Sequence, residues 1–232
     1  MGKIVAIGGG ELRLGETKAI DQYIVGLCGK ESPKLLFLPT ASHDAPGYVE
    51  AVEKEFGSMG CTVQALCLTS QTYTQEEIKS SILGADIIYV GGGSTAFMMD
   101  CWKKYGVDGY LRQAYEQGTV LSGLSAGSIC WFAFGHSDSD LIDGTGQAYR
   151  FVDGLGLLPY FHCPHYDEKG REGFDAMAAE FMEKNTMPAI ALENQTALLY
   201  IDGACQIIKE KPEKKAYMFT WENGACCRRE LY

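Results

Sequence analysis

The sequence lacks the features of several large protein classes. No apolar run approaches the roughly 18 residues that span a bilayer, so no transmembrane segment is indicated. The 9 cysteines include no C-x-x-C pair, so we expect neither a disulfide framework nor a zinc site, and no other cofactor. Basic residues are scarce: 20 Lys and Arg stand against 30 Asp and Glu, a formal net charge of −10. This balance argues against a nucleic-acid partner.

The N-terminal end also lacks the pattern of a secretory signal peptide. The chain enters the apolar run Lys3-Ile4-Val5-Ala6-Ile7 without a charged region, a long apolar segment and a small-residue cleavage site. We therefore expect a cytoplasmic protein that binds no membrane. The length of 232 residues fits one large domain, so we expect residues 1–232 to form a single domain.

Apolar runs alternate with amphipathic segments along the first two thirds of the chain. This order is typical of βαβ units, which build a parallel sheet with helices on both faces. Five such strands are predicted, at 3–7, 34–38, 62–66, 85–90 and 119–122. Four further apolar runs predict a C-terminal antiparallel extension, at 189–192, 197–201, 206–208 and 216–219. We expect a single-domain α/β fold, a three-layer sandwich on a mostly parallel, doubly wound sheet.

The pentapeptide Gly123-Leu124-Ser125-Ala126-Gly127 has the form Gly-x-Ser-x-Gly. Apolar residues precede it at 119–121 and follow it at 129–132, which predicts a strand, a tight elbow and a helix. A serine at such an elbow projects its hydroxyl beyond the sheet edge, where it can act as a nucleophile. Gly123 and Gly127 would lie close together across the turn, where a Cβ would clash. The alternative is an ordinary strand-to-helix turn in which Ser125 is the N-cap.

A glycine-rich segment, Gly91-Gly92-Gly93-Ser94-Thr95, follows the fourth predicted strand. The carboxyl ends of parallel strands form the rim at which open α/β sheets bind ligands. We expect the N–H groups of Gly92 and Ala126 to stabilise an oxyanion, and Gly91 and Gly93 to let a substrate approach the backbone. Neither this segment nor Gly8-Gly9-Gly10 completes a phosphate-binding motif.

A nucleophilic serine needs a base, and the chain has only 4 histidines. His165 is favoured because it lies downstream of the serine and Pro164 holds the preceding residue extended. His162, inside the apolar run, is expected to be structural. A polar stretch from 135 to 146 predicts a loop, and the candidate acids are Asp140, ranked first, with Asp138 and Glu193 close behind.

Three blocks of the sequence resemble the peptidase E and cyanophycinase group of serine peptidases. The blocks are residues 89–95, 123–128, and 152–158 continuing through 163–166. The resemblance implies a flavodoxin-like, class-I glutamine amidotransferase-like fold, with Ser125 as nucleophile and His165 as base. It places the acid at Asp140, or at Asp138 if the alignment has a gap. It also implies hydrolysis of small peptides after aspartyl residues.

A pocket for an aspartyl carboxylate needs a cation, ideally an arginine. Arg171 is the first candidate, Arg150 the second and Arg13 the third. We therefore expect a metal-independent serine peptidase acting on a small acidic peptide through an acyl-enzyme, in a chain that could form a homodimer. The alternative is a non-catalytic, metabolite-binding or regulatory protein of the same fold. A glutamine amidotransferase is disfavoured because those enzymes place cysteine where this chain has Ser125.

Overall fold

The apolar runs of the first half form the parallel strands of a seven-stranded sheet in the computed structural model, which describes residues 2–185 and 187–232. These strands are β1 (Lys3–Ile7), β2 (Lys34–Leu38), β3 (Thr62–Ala65), β4 (Ile87–Val90) and β5 (Val120–Leu124). They lie in the order β1-β5-β4-β2-β3, and each neighbouring pair is parallel. Two later strands, β10 (Thr196–Ile201) and β11 (Ala204–Lys209), extend this sheet antiparallel beside β1.

Helices cover both faces of this sheet because consecutive residues of its central strands are apolar, and consecutive residues point to opposite faces. The helices of the first half are α1 (Lys18–Cys28), α2 (Pro46–Ser58), α3 (Gln75–Leu83), α4 (Thr95–Tyr105) and α5 (Val107–Glu116). Val5 of β1 packs in one apolar cluster with Ile24 of α1 and Phe56 of α2. Its neighbour Ile4 packs in another with Ile82 of α3. This alternation gives the layered α/β architecture that the sequence predicts.

A second sheet of six strands differs from the single sheet that we expected. Its strands are β6 (Phe132–Ser137), β7 (Arg150–Asp153), β8 (Leu158–Cys163), β9 (Ala189–Leu192), β12 (Ala216–Glu222) and β13 (Ala225–Leu231). The helix α8 (Phe174–Lys184) packs on it through Phe174 and Met182. One apolar cluster contains both Ile4 of the first sheet and Ile190 of the second. The mixed α/β fold class is thus confirmed, and the predicted antiparallel strands are divided between two sheets.

Two short helices, α6 (Ala126–Ile129) and α7 (Ser139–Ile142), differ most from expectation. The helix after the elbow is only four residues long, and Phe132 already begins β6. The predicted loop at 135–146 therefore starts as strand and continues as α7. The run 129–132 is buried throughout, and a continuous apolar run does not distinguish helix from strand. Over the described residues, no helix is long and apolar enough to span a membrane.

Candidate active site

Ser125 lies at the turn between β5 and α6, with φ 59° and ψ −112°. Such a backbone is strained for any residue other than glycine. The flanking glycines make the turn possible: a Cβ on Gly123 would stand 2.3 Å from the carbonyl oxygen of Gly127. A Cβ on Gly127 would stand 2.1 Å from that of Val90. The strand, tight turn and helix of the sequence prediction are all present.

Two backbone N–H groups lie beside Ser125. The N–H of Ala126 donates to no acceptor within the described chain. Gly92 is also close, because a Cβ on it would stand 3.3 Å from the Cβ of Ser125. Its N–H donates to the Tyr48 hydroxyl at 3.3 Å, a long and weak hydrogen bond.

The other two glycines of the segment contact protein rather than the space around Ser125. Gly91 packs on Tyr48, whose Cε1 would stand 2.8 Å from an added Cβ. Gly93 has φ 135°, and an added Cβ would stand 2.1 Å from the carbonyl oxygen of Ala41. Burial raises the pKa of Tyr48 to about 12, so its hydroxyl stays protonated at neutral pH. Of the predicted glycine donors, the structure brings Gly92 to the serine.

His165 follows β8 and is tied to the loop after β1. Its backbone N–H donates to the carbonyl of Gly8 at 2.9 Å, and its φ is 53°. Its Nδ1 atom lies 2.8 Å from Oδ1 of Asn194 and 3.1 Å from Oε1 of Glu168. Gly9 leaves room for this pair, because an added Cβ would stand 2.0 Å from Asn194 Oδ1 and 2.3 Å from His165 Nδ1.

The amide of Asn194 has a defined orientation. Its Nδ2 donates to Glu168 Oε1 at 2.8 Å and to Asp167 Oδ1 at 3.1 Å. Burial raises the pKa of Asp167, but hydrogen bonds from Lys214 and the Asn194 backbone outweigh it, so the pKa is lowered and the carboxylate is ionised. Ionised carboxylates only accept, so Nδ2 faces them and Oδ1 faces the imidazole. In the neutral ring of His165, Nδ1 therefore carries the hydrogen and Nε2 is the acceptor nitrogen.

None of the predicted acids contacts His165. Asp140 Oδ1 lies 2.7 Å from Nε of Arg150, and Asp138 Oδ2 lies 3.3 Å from Nη2 of Arg171. Both aspartates lie at α7, because β6 continues as far as Ser137 and places them beyond the end of the second sheet. Glu193 accepts from the backbone N–H of Lys215 at 2.9 Å. Asn194 and Glu168, which contact His165 instead, are not among the predicted site residues, although Asn194 directly follows Glu193.

The two favoured arginines do not line the space around Ser125. Arg171 is only 2% exposed, and it donates to the carbonyl of His136 at 2.7 Å and stacks 4.4 Å over the ring of Tyr149. Arg150 is paired with Asp140 on the surface. Both side chains bind protein groups, and neither is among the residues that line the cavity of Ser125.

Ser125 and His165 line the same open cavity, which has a volume of about 320 Å³. This size is at the lower end for small-molecule sites and suits a ligand of a few residues. The lining residues are Gly10, Glu11, Leu12, Arg13, Tyr48, Gly92, Leu124, Ser125 and His165. The predicted nucleophile, the predicted base and charged groups of both signs therefore line one cavity.

A second serine–histidine pair lies buried behind the site. His162 Nδ1 is 3.0 Å from the carbonyl oxygen of Ile190 and so carries the hydrogen, while Nε2 accepts from the Ser128 hydroxyl at 2.5 Å. Burial lowers the pKa of His162 to about 3, so the ring is neutral. Both side chains are fully buried, which fits the structural role predicted for His162. No cluster of metal-ligating side chains occurs among the described residues.

Comparisons with known proteins agree on one family. The family model described as Peptidase family S51 matches residues 4–208. The uncharacterized peptidase YgaJ of Bacillus subtilis is 34% identical over 220 residues, covering 94% of this chain and 91% of the relative. Peptidase E of Shewanella denitrificans is 25% identical over 219 residues, covering 89% of this chain and 87% of the relative.

Two solved structures share the fold. A peptidase from an acI-B1 Actinobacterium has a TM-score of 0.71 and 17% identity, covering 100% of this chain and 94% of the other. A putative peptidase E protein from Listeria monocytogenes has a TM-score of 0.66 and 20% identity, covering 91% of this chain and 100% of the other. At these identities the two structures support the architecture alone.

Proposed function

The chain belongs to peptidase family S51 and is a serine-type peptidase, and from this premise we propose that it hydrolyses small aspartyl peptides through an acyl-enzyme on Ser125. The resemblance seen in the three sequence blocks is confirmed by the family match. The observation that carries the site assignment is the shared cavity, in which Ser125 and His165 both face the space that a peptide would occupy.

The first half of the proposed reaction forms the acyl-enzyme. Ser125 Oγ attacks the carbonyl carbon of the scissile peptide bond while its proton passes to Nε2 of His165. The negative charge on the former carbonyl oxygen is stabilised by the N–H of Ala126 and by that of Gly92, which turns from Tyr48. The intermediate then collapses: the carbon–nitrogen bond breaks, and the imidazolium gives its proton to the leaving amine.

The second half returns the enzyme to its starting state. Water attacks the ester carbonyl, its proton passes to His165 Nε2, and the carbon–oxygen bond to Ser125 breaks as the serine regains a proton. Asn194 keeps the hydrogen on Nδ1, so Nε2 is free to act as a base. Glu168, 3.1 Å from Nδ1, supplies negative charge beside the imidazolium that forms in each half.

The aspartyl preference is supported by the resemblance to the peptidase E and cyanophycinase group, and the short length of the substrate by the size of the cavity. We propose a dipeptide with an N-terminal aspartyl residue as the substrate type. A short peptide fits about 320 Å³ better than a folded protein loop does.

Substitution of Ser125 by alanine tests this proposal. Ser125→Ala should abolish the release of alanine from Asp-Ala and should prevent labelling by a fluorophosphonate, which reacts with activated serines. Ser58→Ala, at the exposed end of α2, is the matched control and should retain both properties. Labelling or turnover that survives in Ser125→Ala would refute the assignment. Binding of Asp-Ala by wild-type protein without labelling or turnover would instead favour the non-catalytic alternative.

A further inference from the structure

In the described parts of the chain, Arg13 differs from the other arginines because its guanidinium has no hydrogen-bond or ion-pair partner. The others bind a protein acceptor. These acceptors are the carbonyl of Leu155 for Arg112, Asp140 for Arg150, the carbonyl of His136 for Arg171, Asp175 for Arg228 and Glu222 for Arg229. Arg13 is also the arginine that lines the Ser125 cavity. Arg13 therefore shares a cavity with the proposed nucleophile.

The backbone around Arg13 is held in place. It lies in a 3₁₀ turn (Leu12–Leu14) directly after the loop that follows β1. Leu12 is 4% exposed and packs in the core, and its carbonyl accepts the N–H of Gly15 at 3.0 Å. The backbone N–H of Glu11 donates to the carboxylate of Glu16 at 2.9 Å. These contacts anchor the turn, so the base of the Arg13 side chain has a defined position at the cavity.

The guanidinium lies against the first turn of α2. A Cβ on Gly47 would stand 2.8 Å from Arg13 Nη2, so the glycine provides the room that this group occupies. Glu11 also lines the cavity, but its carboxylate accepts the backbone N–H of Arg13 at 3.3 Å. Glu50 and Glu55 line the neighbouring cavity with Arg13, yet neither forms an ion pair with it in the described structure. The planar donors of the guanidinium remain available to a ligand.

We infer that Arg13 binds a carboxylate of the substrate in the Ser125 cavity. This inference rests on the proposed function and adds the residue that selects an acidic peptide. A guanidinium can hold a carboxylate through two parallel hydrogen bonds, which a neutral amide in the same place does not reproduce. In a chain of net charge −10, the free guanidinium of Arg13 at the cavity would make the site bind acidic peptides in preference to neutral ones.

The carboxylate has two sources in an aspartyl dipeptide: the aspartyl side chain and the C-terminus. Three peptides separate them, namely Asp-Ala, Asn-Ala and Asp-Ala amide. With Arg13→Gln, kcat/KM for Asp-Ala should fall about 10- to 100-fold, mainly through KM, since charged hydrogen bonds are lost. If Arg13 binds the aspartyl side chain, kcat/KM for Asn-Ala should be the same in Arg13→Gln and in the wild type. If Arg13 binds the C-terminus, kcat/KM for Asp-Ala amide should be the same in the two proteins. Arg13→Lys should restore only part of the loss, because an ammonium lacks the planar pair of donors.

Binding to the Ser125→Ala protein gives a readout that does not depend on turnover. In that background, titration calorimetry with Asp-Ala should show affinity about 10- to 100-fold weaker for Arg13→Gln than for Arg229→Gln, an exposed control with the same charge change. Equal affinity in the two proteins would overturn the role of Arg13, whatever Ser125 does. Conversely, turnover that survives Ser125→Ala would refute the proposed function while leaving the binding comparison valid.

Discussion

The side chain of Asn194 contacts the imidazole of His165, with Oδ1 2.8 Å from Nδ1. A neutral amide therefore occupies the place beside Nδ1 where serine hydrolases commonly use a carboxylate. The amide is in turn held by Glu168 and Asp167. Glu168 also lies 3.1 Å from Nδ1, so the negative charge near the imidazole comes from Glu168 and not from the neutral amide of Asn194.

Removal of the Asn194 oxygen should impair His165 as a base. Asn194→Leu keeps a similar volume but lacks the acceptor, so the ring can rotate or place its hydrogen on Nε2. We expect kcat for Asp-Ala to fall about 10- to 100-fold, less than the roughly 100- to 10,000-fold contribution of a general base, because the imidazole itself is retained. A nitrogen NMR spectrum of the His165 ring should show the hydrogen on Nδ1 in the wild-type protein and a mixture of tautomers in Asn194→Leu.

Glu168→Gln distinguishes the contribution of the Glu168 carboxylate from that of the Asn194 amide. The glutamine oxygen can still accept from Asn194, so the tautomer should persist while the negative charge is lost. We expect a smaller fall in kcat than for Asn194→Leu, because the imidazolium that forms in each half of the reaction loses a nearby anion. Equal kcat values for Glu168→Gln and wild type would show that the carboxylate makes no electrostatic contribution.

The predicted strand bounds agree with the structure where the local sequence pattern decides the structure. The bounds of β1, β2 and β9 agree with the predicted runs because each is a short apolar segment bounded by polar, glycine or proline residues. The run 129–132 was assigned to a helix, but the chain reverses into β6 there. Its residues are buried throughout, so their apolar character indicates burial and does not distinguish a helix from a strand.

The candidate site was predictable to the extent that it depends on sequence order. Ser125 follows β5 of the first sheet and His165 follows β8 of the second, and the structure places both at one cavity. The partner of Nδ1 depends instead on which side chain turns inward after β9. Glu193 and Asn194 are adjacent, and only the folded backbone directs Asn194 to the imidazole and Glu193 to the backbone N–H of Lys215.

Alanine at Gly123 should destabilise the turn at Ser125. The added Cβ would stand 2.3 Å from a backbone oxygen, which no side-chain movement can relieve. We expect Gly123→Ala to lower the free energy of unfolding by about 2 kcal/mol or more. Gly109→Ala is the control, since nothing lies within 4 Å of the added Cβ and the site is inside α5. That change should stabilise the protein by about 0.5–1 kcal/mol in urea unfolding; equal effects would contradict the steric argument.

Ser128→Ala should remove the hydrogen-bond donor from a buried histidine. Nε2 of His162 would be left without a partner in an environment that excludes water, because both side chains are fully buried. We expect a loss of about 1–3 kcal/mol in the free energy of unfolding, the usual penalty for an unsatisfied buried group. The exposed Ser58→Ala is the matched control and should change stability by less than about 0.5 kcal/mol. Fluorophosphonate labelling of Ser125 should persist in Ser128→Ala, because this pair supports the fold and not the chemistry.

Asp21 should make the protein less stable as pH rises. Its carboxyl group is fully buried, accepts from the Thr17 hydroxyl at 2.8 Å through Oδ2, and has no partner for Oδ1 within the described residues. Burial raises its pKa to about 8, against the opposing hydrogen bond from Thr17. Below pH 4 the group is protonated in both the folded and unfolded states. Between pH 4 and 8 the unfolded chain releases a proton that the folded chain retains, so the free energy of unfolding falls with pH.

Asp21→Asn removes this dependence while retaining the shape of the protonated carboxyl and an oxygen that accepts from Thr17. The stability of the variant relative to wild type should increase between pH 5 and pH 8 by roughly 1 kcal/mol per pH unit. Urea unfolding at pH 5, 6.5 and 8 measures the difference. A gap between variant and wild type that stays constant across this range would show that Asp21 ionises in the folded protein as it does in the unfolded chain, contrary to its burial beside Thr17.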